Sequence, residues 1–82
     1  MTNEIKELRK ELDLLDNTIS ELIQKRIATG KKIVKLKKEA GISKDDLRRE
    51  QEIIERITAG KSEIAELLKE IYGRIFDWVK NR

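Results

Sequence analysis

Arg26, Gly30, Ile33 and Lys37 follow one another at steps of four, three and four. On a helix those steps stay on one face. Two cations then stand about 16 Å apart along the axis, with a position lacking a side chain between them. The result is a shallow floor with a positive group at each end. Gly costs helix stability, and an opening beside it would account for its presence. In a later segment Asp46, Arg49, Glu50 and Ile53 also share a face. Glu50 thereby falls on the side of apolar residues, an unusual setting for a carboxylate. Such a set suits a small anionic ligand. Arg9 lies on the same segment as Arg26 but about 25 Å away along the axis, too far to meet it on one small molecule. An antiparallel helix from a second copy could bring its own Arg9 there. Plainer readings stand beside this one: solvated single cations, ordinary helix-surface ion pairs for Glu50 and Arg49, and a Gly30 that serves helix crossing alone.

The element that must position these residues is the stretch from Ile5 to Glu39. It has no Pro and one Gly. Ile5, Leu8, Leu12, Leu15, Ile19, Leu22, Ile23, Ile27, Ile33, Val34 and Leu36 recur at three- and four-residue spacing, which predicts one amphipathic helix. It would run roughly 50 Å, whereas a compact domain of this length has a radius of gyration of about 12 Å. The chain cannot cover that stripe by itself, so an all-helical dimer is expected. Thr2 or Asn3 is the expected cap of this helix and Gly41 its C-terminal stop. Ser43 is the expected cap of a second helix carrying Leu47, Ile53, Ile54 and Ile57 and ending at Gly60. Ser62 is the expected cap of a third, with Ile64, Leu67, Leu68, Ile71, Ile75 and Val79 on one face. Tyr72, Phe76 and Trp78 add bulk there, and Gly73 suggests close helix contact. One domain over 1–82 is expected, with no repeats and no linker.

Composition narrows the chemistry. The chain has 82 residues, 43% of them charged, with no Cys and no His. Thiol nucleophiles, imidazole bases, disulfides and nearly all zinc chemistry are excluded. Net charge is only +3 and acids are mixed among the bases, which argues for small anionic ligands and against a nucleic-acid footprint. No apolar run reaches membrane-spanning length, and the opening MTNEIKELRK lacks the apolar core of an export signal. The cytoplasm is the expected compartment.

Leu8-Arg9 followed by Leu15-Asp16, Arg26 ten residues beyond Asp16, Lys37 eleven beyond Arg26, and the block DDLRREQEIIERI at 45–57 appear in this order. The set resembles the AroQ-type, all-α chorismate mutases, over Leu8 to about Phe76. The resemblance implies an intertwined homodimer of three-helix chains with two sites, each built from both subunits. It implies the rearrangement of chorismate to prephenate on the way to Phe and Tyr, with no cofactor or metal. It also implies roles. Arg26 and Arg9 of the partner subunit would hold the two substrate carboxylates, and Lys37 would donate to the ether oxygen. Glu50 would accept from the ring hydroxyl with Asp46 beside it, and Arg49 would assist a carboxylate. The third helix departs from the family pattern: Val79 falls where the family has a Ser, and the family's Gln position falls past Arg82. Lys80 and Arg82 are the nearest substitutes. A synthase of the shikimate pathway, which boosts some short family members, is a further implied partner. The competing reading is a non-catalytic helical dimer acting as a regulatory or protein-interaction module. It predicts no pocket between Gly30 and the second helix.

Overall fold

The computed structural model describes residues 2–82 as three helices: α1 (Thr2–Glu39), α2 (Leu47–Thr58) and α3 (Ala65–Asn81). The long helix is continuous through Gly30. It ends where Gly41 adopts φ 71°. There the Ile42 N–H donates to the Lys37 carbonyl at 2.7 Å and the Gly41 N–H to the Lys38 carbonyl at 3.2 Å. This paired closure satisfies carbonyls that the last helical turn would otherwise leave unbonded.

Three expected caps are corrected. Thr2 and Asn3 lie inside α1. α2 is capped by Asp46, whose Oδ1 accepts from the Arg49 N–H at 3.1 Å. Ser43 instead accepts from the Asp45 N–H. Both residues are good caps, and Ser43 is committed to a tight local turn before the helix begins. Ser62 does not cap α3. A turn closed by the Ile64 N–H on the Lys61 carbonyl intervenes, so the helix starts at Ala65 behind Ile64 without a side-chain cap.

α3 packs on both other helices, while α2 does not approach α1 closely. Ile53 of α2 and Ile75 of α3 form the buried core. α3 reaches only the C-terminal half of α1, where Val79 lies over Gly30. A Cβ built on Gly30 would stand 2.9 Å from Val79 Cγ1. The expected close contact at Gly73 is absent within the described chain: a Cβ there meets nothing within 4 Å.

The N-terminal half of α1 is a bare rod. Its apolar residues Ile5, Leu8, Leu12, Leu15, Ile19 and Leu22 are 47–59% exposed. The radius of gyration is 16.6 Å and the longest extent 59 Å, against about 12 Å for a compact chain of this length. Single exposed apolar residues need no account, but a continuous stripe of them does.

Candidate active site

A cleft of about 270 Å³ opens where the last turns of α1 and α3 meet the start of α2. Arg26, Gly30, Ile33 and Lys37 of α1 line it, opposite Asp46, Arg49, Glu50 and Ile53. The two faces read from spacing thus meet in one cleft, against the expectation of the non-catalytic reading. Gly30 serves both proposed purposes. It admits Val79 from α3, and it lies on the floor of the cleft beside that contact. Arg9 does not line the cleft.

Five cations line the cleft (Arg26, Lys37, Lys44, Arg49 and Lys80) against two carboxylates, Asp46 and Glu50. The pairing inside it is uneven. Lys37 Nζ is 3.9 Å from Asp46 Oδ2, a loose contact. Arg49 turns toward Glu52, at 3.8 Å. Arg26 has no carboxylate partner among the described residues. Its guanidinium lies instead against the rings of Tyr72 and Phe76, at 5.2 and 5.5 Å from their centroids. Those rings meet edge to face at 6.0 Å. Such contacts hold a cation without neutralising it. A cleft with this balance of charge favours an anion, and the Arg26 guanidinium on its wall is not taken by a carboxylate among the described residues.

One site feature was not legible in the sequence, and another was legible only as one of two candidates. The first is the aromatic cradle of Arg26, since Tyr72 and Phe76 read only as bulk until the crossing of α3 over α1 is known. The second is Lys80. Its Nζ lies 2.9 Å from Glu50 Oε2 and 3.4 Å from Asp45 Oδ1, and its side chain is only 16% exposed. The hydrogen bond to Glu50 holds its ammonium above the usual lysine range, against an opposing pull from burial. Of the two substitutes suggested for the family's third-helix donors, Lys80 therefore reaches the cleft. Arg82 does not. It turns away toward Asp77, at 3.8 Å, and over Trp78, at 5.3 Å from the ring centroid.

No helix among the described residues is long and apolar enough to cross a membrane. Comparison with solved structures yields no match. The bifunctional chorismate mutase/prephenate dehydratase of Aquifex aeolicus (strain VF5) is 38% identical over 73 residues, covering 89% of this chain and 18% of that protein. A family model described as chorismate mutase type II matches residues 8–82, a span that takes in the whole cleft and the Arg9 turn of α1, and the chain belongs to that family of isomerases.

Proposed function

We propose that this protein is a chorismate mutase, converting chorismate to prephenate in Phe and Tyr biosynthesis in the cytoplasm. The observation that carries the reading is the meeting of Arg26, Lys37 and Glu50 in one cation-rich cleft of a chain belonging to this family. The reaction breaks the ether C–O bond as a C–C bond forms within the same molecule. It calls for no nucleophile, base or cofactor, so the lack of His and Cys is no obstacle. What the protein supplies is restraint of a dianion in its chair-like reacting shape and stabilisation of charge that develops on the ether oxygen.

In this reading Arg26 binds one carboxylate and Lys37 donates to the ether oxygen. Glu50 accepts from the ring hydroxyl, with Asp46 alongside at the helix start. Arg49 acts on a carboxylate from farther off. The second carboxylate goes to Arg9 of the partner subunit. That assignment requires an intertwined homodimer, and the bare stripe on α1 supports it: a second copy of the same helix is apolar in the complementary way and long enough to cover it. The test is loss of chorismate absorbance on adding pure protein without any cofactor, with prephenate identified as product. Absence of turnover at high substrate and protein concentration would sink the reading in favour of a non-catalytic module. Adding a shikimate-pathway synthase to the same assay tests whether such a partner raises the rate.

A further inference from the structure

The last turn of α3 is fastened to the cleft at three consecutive residues. Val79 lies over Gly30 on α1. Lys80 bonds Glu50 of α2 and Asp45 of the preceding loop. Asn81 Oδ1 accepts from Lys44 Nζ at 3.1 Å. Of these, Lys80 alone touches a residue placed in the chemistry. Its side chain is 16% exposed, whereas an ordinary surface lysine of this chain, Lys10, is 74% exposed. A flexible four-carbon stem is thus held in one place, at a cost in rotamer freedom, so that its ammonium meets Glu50.

Glu50 has a positional problem that this contact addresses. Its carboxylate faces a cleft that must accept a doubly negative molecule, and like charges at short range repel. Its Oε2 is taken by Lys80 at 2.9 Å, and among the described residues no second ion pair engages the Glu50 carboxylate. One oxygen is therefore anchored and neutralised, and the other is left to accept a hydroxyl. We propose that Lys80 is a positioning residue: its bond to Glu50 Oε2 aims the carboxylate into the cleft and offsets its charge, so that Oε1 receives the ring hydroxyl of the substrate. This rests on the chorismate mutase reading. It gives the last turn of α3 a task different from direct donation to the substrate.

The test is a double-mutant cycle in the full-length protein. Lys80→Met should lower kcat/KM by roughly 10- to 100-fold, the size expected when a reacting group is misplaced, and Lys80→Arg should recover most of it. In a Glu50→Gln background, Lys80→Met should change kcat/KM far less than it does in the wild type, because the carboxylate that Lys80 positions has gone. A second readout separates positioning from stability. Lys80→Met should weaken binding of a bicyclic dicarboxylate carrying the ring hydroxyl by clearly more than that of its deoxy counterpart, which meets the unmasked charge of Glu50 but makes no hydroxyl bond. Circular dichroism checks that each variant folds, and Lys80→Gln takes the place of Lys80→Met should the latter not. Near-wild-type activity of a folded Lys80 variant overturns the proposal. So does a full loss that persists with Glu50→Gln, which would make Lys80 a direct substrate contact. An inert wild type overturns the chorismate mutase reading itself, and the positioning role with it; an active wild type with an indifferent Lys80 overturns the positioning role alone.

Discussion

Val79 stands over Gly30 so closely that a Cβ on the glycine would lie 2.9 Å from one of its methyls and 3.0 Å from the other. Val is stiff about its first side-chain torsion, so the neighbour cannot swing aside cheaply. Ordinarily Gly→Ala inside a helix gains about 1 kcal/mol. Here overpacking should cost about 1–3 kcal/mol and reverse the sign. Gly30→Ala is expected to melt several degrees below wild type, and adding Val79→Ala should recover part of the loss. Thermal denaturation followed by circular dichroism reads both. A Gly30→Ala variant more stable than wild type would show that α3 does not press on α1 there.

The two arginines of α1 provide a test of subunit sharing. Arg9→Ala and Arg26→Ala should each be nearly inactive. On the proposed homodimer, the two variants unfolded together and refolded would form mixed dimers in which one site collects both defects and the other receives both intact arginines. Activity should then return to about a quarter of wild type per chain with random pairing. Mixed dimers proven by mass spectrometry yet no more active than the parents would leave Arg9 outside the site.

Lys37 and Arg26 should differ in kinetic signature. The contact assigned to Lys37 strengthens as the ether bond breaks, so Lys37→Ala should reduce kcat by about 100- to 1000-fold with a smaller change in KM. The carboxylate contact proposed for Arg26 is made in ground and transition states alike, so Arg26→Ala should raise KM as well as lower kcat. Steady-state rates on chorismate decide the matter. Two variants that both retain wild-type kcat/KM would move the site elsewhere.

The bond between Lys80 and Glu50 has an alkaline signature. Folding raises the Lys80 pKa above its ordinary value of 10.5. A group shifted in this direction stabilises the fold fully below its unfolded-state pKa, and the contribution disappears as pH rises through the folded value. The gap in urea midpoint between wild type and Lys80→Met should stay constant from neutral pH to about pH 10 and narrow beyond. A gap that widens with alkalinity would mean that the ammonium is not the stabilising form.

Much of this architecture was legible because helical periodicity is a strong signal when it persists. The apolar stripe from Ile5 to Leu36, uninterrupted by Pro, specifies α1 and its need for cover. The same periodicity put Arg26 and Lys37 on one face, and Asp46 and Glu50 on another. Cap positions were less legible. Ser43 and Asp46 are both good caps three residues apart, and only the tertiary path of the loop chooses between them. Lys80 was harder still. In sequence it stands beside Arg82 as one of two candidate substitutes; the choice between them, and the contact with Glu50, depend on how α3 crosses α1 and α2, which no local pattern encodes. Gly73 has no close neighbour within the described chain, so its place in α3 is not explained by contact with α1 or α2.

The closure at Gly41 reaches further than helix termination. The carbonyl that Ile42 captures belongs to Lys37, whose side chain lines the cleft. The left-handed backbone at Gly41 is strained for any residue with a side chain. From that turn the chain proceeds directly to Lys44, Asp45 and Asp46, so its angle sets the distance between the α1 and α2 walls. A residue with nothing to offer a ligand therefore acts as the gauge of the cleft's width. Random mutagenesis with selection for turnover would be expected to mark Gly41 as intolerant of change, although it forms no part of the cleft's lining.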